Sequence, residues 1–132
     1  MQGRGNAAIP VLQKLVADAD SMGVRALSVQ ASIYLAQAQI AAKKLPAAGQ
    51  ELDRALNRAD KLGLIIEQAH AHYLLGELAT VSGKEKQFEF QFRDTVKLLE
   101  SVSKEPGVGH LLDRSDLKGI YQDALKSYQG AP

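Results

Sequence analysis

The chain has 132 residues, 45% hydrophobic and 5% aromatic, with sixteen basic against fifteen acidic side chains and no cysteine. That length and apolar share suit one folded domain, and the near-neutral balance, without a run of five like charges, excludes strong electrostatic capture of nucleic acid or an anionic membrane. The lack of cysteine removes disulfides and thiolate chemistry and fits a reducing, cytoplasmic compartment; no stretch reaches eighteen consecutive apolar residues, so the chain reads as soluble, with no membrane span.

Residues 1 to 5 are Gly-rich and are expected to be flexible, with Asn6 as the N-cap of a first helix. Pro10 then falls in the first turn, where its missing N–H deprives no intrahelical acceptor. Ile9, Leu12, Val16 and Ala19 share a helical face that Val11 and Leu15 widen, and Gly23 can end the helix in a left-handed conformation. A second helix is predicted from about Val24 to Lys43, with Leu27, Ala31, Tyr34 or Leu35, Ala38 and Ala42 on one side. Pro46 opens a third, its fixed φ already suited to a first helical position. The apolar face of that helix is Ala48, Leu52, Ala55, Leu56, Ala59 and Leu62, and Gly63 ends it.

A fourth helix carries Ala69, Tyr73, Leu75, Gly76 and Ala79 up to a break at Gly83; a fifth carries Phe88, Phe92, Thr95, Val96, Leu99 and Val102. Residues 104–112 are expected to be a loop, because Lys104 to His110 contains a Pro and two Gly. Beyond it Leu117, Ile120, Tyr121, Ala124, Leu125 and Tyr128 form a helical stripe, with Asp113, Ser115 and Asp116 at its positive end. Residues 113–129 are thus expected to form a capping helix over the last apolar face.

The elements repeat with a period of forty. Leu75-Gly76, Gly83, Phe88, Phe92 and Thr95 recur upstream as Leu35-Ala36, Lys43, Ala48, Leu52 and Ala55. Half a copy precedes them, since Leu12, Leu15 and Ala19 lie forty residues ahead of Leu52, Ala55 and Ala59. The expected organisation is a half repeat over 6–23 and full repeats over 24–63 and 64–103, each unit burying one face on its neighbour. The first helix is then the second half of a unit. Either the chain is cut from, or begins within, a longer array, or this helix caps the array.

Leu75-Gly76, Ala79, Gly83, Phe88, Phe92 and Thr95 resemble the tetratricopeptide repeat, in which a Leu-Gly pair and an Ala-x₃-Phe step mark two antiparallel helices. Leu35-Ala36 through Ala48, Leu52 and Ala55 match as well, and the period of forty resembles a long-helix variant. Phe88 departs from the usual Ala, His72 stands where the family often has a large aromatic, and neither copy ends in the family's Pro. The resemblance implies an all-α fold of about six helices, antiparallel pairs stacked as a short right-handed α-solenoid. The segment Leu111 to Leu117 also resembles the close of such repeats in large bacterial multidomain signalling proteins.

No constellation of catalytic groups emerges, and no enzyme, metal or cofactor is expected. His70 and His72 are two apart, which points them about 200° apart around a helix rather than at one metal. His110 with Asp113 and Ser115 lacks a nucleophile elbow. Ser82-Gly83-Lys84 echoes a phosphate loop, but Leu78 and Glu85 stand where Gly and Ser or Thr are needed. Glu51 and Asp53 fall on different helix faces and read as solvated, and Glu100 and Lys104 read as an ordinary i, i+4 pair.

Function is then expected to lie in shape. By the resemblance, the first helix of each pair lines a concave groove, formed by Gln30, Ile33, Gln37, Ile40 and Ala41 in one unit and His70, Tyr73, Glu77 and Thr80 in the next. Gln and Glu offer directional hydrogen bonds, while Ile33, Ile40 and Tyr73 can bury apolar area on a peptide or helix. The Lys and Asn that family members use to grip acidic chaperone tails are absent, because those positions hold Ile33, Gln37, Tyr73 and Glu77. The expected function is a protein-interaction module within a larger multidomain protein, holding a peptide, helix or neighbouring domain. The alternative is a structural segment of a longer array, or self-association through Val11, Leu15 and Met22.

Overall fold

The computed structural model describes residues 2–104 and 115–129, and every regular element among them is a helix. In chain order these are α1 (Gln2–Met22), α2 (Arg25–Ala41), α3 (Leu45–Leu62), α4 (Ile65–Val81), α5 (Glu85–Ser103) and α6 (Ser115–Gln129). The expected all-α class and helix number are found. Residues 105–114, which hold most of the expected loop with His110 and the expected start of the capping helix at Asp113, lie outside the described residues.

The helices are punctuated by one corner, used four times at twenty-residue intervals. In each, a residue one or two positions past the helix end takes a left-handed conformation: φ is +73° at Gly23, +63° at Lys43, +68° at Gly63 and +73° at Gly83. Its N–H returns to the carbonyl three back, and the next N–H to the carbonyl five back, as in Gly63 to Asp60 (3.2 Å) and Leu64 to Ala59 (2.9 Å). This pair of bonds satisfies carbonyls that a helix end would otherwise strand. Lys43 repeats it with bonds to Ile40 (3.0 Å) and, from Lys44, to Gln39 (2.8 Å). A side chain here costs about 1–2 kcal/mol relative to glycine. The fifth helix ends differently, with Lys104 in a right-handed conformation.

One helix start differs from expectation. α1 begins at Gln2, so Asn6 lies inside the helix rather than capping it, and Pro10 is interior. Gly3 and Gly5 weaken a helix without forbidding it. Pro10 still removes one rung, because it has no N–H to offer the carbonyl of Asn6.

The chain forms two compact units, residues 1–67 and 68–132, with the division falling after the first turn of α4. In the first, α2 packs against both α1 and α3. Its buried residues therefore run around more than one side: Val29, Ala31, Ile33, Leu35 and Ala36, with Ser28, Ser32 and Gln39 among them. Ala19, Ala48, Ala55 and Ala59 are fully buried with Leu52, and such short side chains let helix backbones approach closely. A polar tie joins the three helices. Buried Ser28 donates to Asp20 of α1 and accepts from Arg58 of α3 (2.9 Å), which also reaches Asp20 (3.1 Å). The Ser28 bond, reinforced by Arg58, holds the Asp20 carboxyl below its ordinary range although partial desolvation opposes this.

In the second unit, α4 and α5 run antiparallel, since Ala69 meets Thr95 and His72 meets Gln91 further along. The Phe92 ring of α5 lies directly against Gly76 of α4, where a Cβ would stand 2.6 Å from it. Phe92 is tilted against Tyr73 and Phe88, with ring centroids 5.8 and 6.0 Å away. Phe92, Val96 and Ala124 of α6 form a buried cluster, with Tyr73, Phe88, Tyr121 and Leu125 packed on it. Thr95 is buried and shares its hydroxyl hydrogen between the Gln91 carbonyl (2.9 Å) and the more distant Ala69 carbonyl (3.4 Å).

Candidate interaction faces

On α2 the expected groove residues divide. Gln30, Gln37 and Ala41 are exposed and Ile40 is half-buried, but Ile33 is only 1% exposed and belongs to the core. The reason is that α2 is covered by helices on its flanks: Ile33, turned to one side of the Gln30–Gln37 line, lies under a neighbour, whereas Tyr34, turned about as far to the other side, does not. In its place stands a residue not expected there. Tyr34 is 54% exposed and lies one turn from Gln30 and one turn from Gln37 on the same stripe. The sequence left Tyr34 and Leu35 as alternatives for the core; Leu35 takes it. The heptad-like run 30, 34, 37, 41 was the available signal. Gln30 donates to the Glu67 carboxylate at 3.1 Å, which fixes one end of the stripe.

On α4, Thr80 is exposed, and His70, Tyr73 and Glu77 are half-buried. Thr80 turns its hydroxyl back to the Gly76 carbonyl (2.9 Å). Tyr73, expected to face a ligand, instead lays its ring on Phe92 and donates its hydroxyl to Asp123 of α6 at 2.6 Å. Burial, followed by hydrogen bonds to Asp123 and Glu77, holds its phenol protonated far above the usual range. Burial also raises Glu77; the Tyr73 hydroxyl opposes that shift and the charge of Asp123 adds to it. Alpha6 thus occupies part of what was expected to be an open face, because Phe92 and Val96 supply the apolar surface on which it rests. A second tyrosine reinforces the contact: Tyr121 donates to Glu100 at 2.7 Å, and that bond is the main reason its phenol is also raised.

Other readings are corrected at the same time. Glu100 serves Tyr121 rather than Lys104. Glu51 is buried, not solvated, and is paired with Arg54 at 3.0 Å. His72 is half-buried with Nδ1 2.7 Å from the Gln91 side-chain oxygen. Among the described residues no group of three His, Asp or Glu stands close enough to hold a metal ion, and no helix is long and apolar enough to cross a membrane.

Comparison of the chain with models of protein families, with curated proteins and with solved structures gives no match. The site must therefore be read from its own chemistry. The α2 stripe presents an aromatic ring between two neutral amides, and Ala41 extends it without bulk. Such a surface can bury apolar area and hydrogen-bond a backbone without paying to desolvate a charge at its centre.

Proposed function

We propose that the chain is a protein-interaction module and that the α2 stripe of Gln30, Tyr34, Gln37 and Ala41 is its contact face. The observation that carries this is the exposure of Tyr34 on a helix otherwise buried on several sides. A tyrosine offers a large amphipathic surface at small conformational cost, the property that makes it frequent at binding hot spots. The forty-residue repeat and its resemblance to tetratricopeptide arrays support the same reading. The partner this face fits is a neutral peptide or helix that supplies an apolar side chain to Tyr34 and polar groups to the two glutamines.

The test is affinity capture from lysate of the source cell with three chains of matched helicity: intact, Tyr34→Ala, and Asp53→Ala on an exposed position of α3. A protein held by the intact and Asp53→Ala chains and lost with Tyr34→Ala supports the proposal. Retention by all three alike, or by none, overturns it.

A second reading has an observation of its own. Val11 and Met22 are each 68% exposed and Leu15 is 38% exposed, all on one face of α1. The corresponding residue of α3, Ala55, is fully buried. Self-association through α1 would cover this face.

A further inference from the structure

The outer face of α5 holds a cation on an aromatic ring. Phe90 is 55% exposed, although Phe88 and Phe92, two residues to either side of it, pack inward. A helix turns such neighbours about 200° round its axis, so Phe90 faces away from the core they share. The Arg93 guanidinium lies over its ring, 4.7 Å from the centroid. The exposed ring thus fixes the position of a charge.

Arg93 has little else to satisfy it. Its Nε is buried without a hydrogen-bond partner, and the Asp94 carboxylate stands 3.7 Å from that atom, beyond hydrogen-bond reach. Among the described residues no hydrogen bond is found for this guanidinium, yet 35% of the side chain is open to solvent. A buried donor without a partner is rare in a native fold and calls for a reason. The charge continues along the helix: exposed Lys97 lies one turn on from Arg93, and exposed Lys104 stands at the helix end two turns further. The carboxylates on this side of α5 are Asp94, half-buried Glu89, and Glu100, which Tyr121 engages.

We propose that Phe90, Arg93 and Lys97 form a docking site for an acidic peptide segment, which sets one carboxylate on the outer edge of Arg93, a second on Lys97 and an apolar side chain on Phe90. A guanidinium is a planar fork whose geometry matches a carboxylate, and stacking on Phe90 has already removed freedom that binding would otherwise have to remove. Arg93 and Lys97, at i and i+4, are roughly 6 Å apart at Cβ, which matches two acidic residues one turn apart on a partner helix. A carboxylate seated there supplies the countercharge that Asp94 offers only at a distance. Nucleic acid fits this face less well. It needs an unbroken run of cations, which Asp94 and Glu89 interrupt, and one face of the Phe90 ring carries the guanidinium instead of being free for a base. The site lies within the second unit and stands apart from the reading of the α2 stripe in the first.

The test is fluorescence anisotropy in low salt, where surface charges are least screened. The probes are a dye-labelled peptide of Leu-Glu-Glu triplets, its Leu-Gln-Gln counterpart and a single-stranded oligothymidine of similar length. The intact chain should bind the acidic peptide in preference to both others. Arg93→Lys keeps the charge but loses the fork and the stacking, and should weaken binding about tenfold. Phe90→Ala should weaken it about two- to fivefold. Asp94→Asn removes a competing carboxylate and should tighten it by a similar factor, whereas Lys61→Gln, at an exposed position of α3, should leave it unchanged. No binding of the acidic peptide, equal binding of the amide peptide, or undiminished affinity in Arg93→Lys overturns the proposal. So does tighter binding of the oligothymidine that depends on Arg93, which assigns the face to nucleic acid. Should Arg93→Lys fail to fold, Phe90→Ala and Asp94→Asn decide, and an affinity unmoved by either overturns the site.

Discussion

Replacing Gly76 with alanine tests the contact between α4 and the Phe92 ring of α5. The added Cβ would stand 2.6 Å from one Phe92 ring atom and 2.9 Å from two others, well inside ordinary contact. The ring has little room to retreat, because it is nearly fully buried and packed between Tyr73 and Phe88. Overpacking of this kind costs about 1–3 kcal/mol. Alanine recovers about 1 kcal/mol through its better helix propensity, which leaves a net loss of roughly 1 kcal/mol. The diagnostic is the sign in a second background. With Phe92→Leu the obstructing ring is gone, and Gly76→Ala should become neutral or stabilising by up to about 1 kcal/mol. Urea unfolding of the four chains of this cycle gives the coupling directly. Equal effects of Gly76→Ala in both backgrounds would refute the contact.

Lys43→Gly should raise the unfolding free energy by about 0.5–1 kcal/mol, the strain released at the left-handed corner less what glycine's greater backbone entropy costs, whereas Gly63→Ala should lower it by about 1 kcal/mol. A lower midpoint for Lys43→Gly would mean that its corner is not strained. If α1 mediates self-association, the sedimentation mass of the intact chain rises with concentration and Leu15→Glu abolishes the rise; a strict monomer across the range removes that reading.

The helices and their corners were legible because they depend on neighbours in sequence. Gly23, Gly63 and Gly83 mark left-handed ends, Pro46 marks a start, and the apolar stripes of α3, α5 and α6 keep helical spacing over several turns. The corner at Lys43 was not foreseen: the second helix was expected to run to Lys43, but α2 ends at Ala41 and Lys43 is left-handed. Of the candidate faces, Gln30, Gln37, Ala41 and Thr80, which the tetratricopeptide resemblance had projected as groove positions, are exposed.

What the sequence alone determined, then, was an all-helical chain with a forty-residue period and corners at Gly23, Gly63 and Gly83, since hydrogen bonds spanning three to five residues and the φ of single glycines set those features. Tertiary contacts decided which side chains remained available for binding. Tyr34 and Leu35 are about 100° apart on α2, both near the edge of its apolar side, and the helices packed on that segment assigned Leu35 to the core and Tyr34 to the surface. Burial of Ile33, capture of Tyr73 by Asp123, and the Asp20–Ser28–Arg58 tie likewise depend on residues far apart in the chain. A local periodicity records which way a side chain points from its own helix, but not which distant helix arrives there.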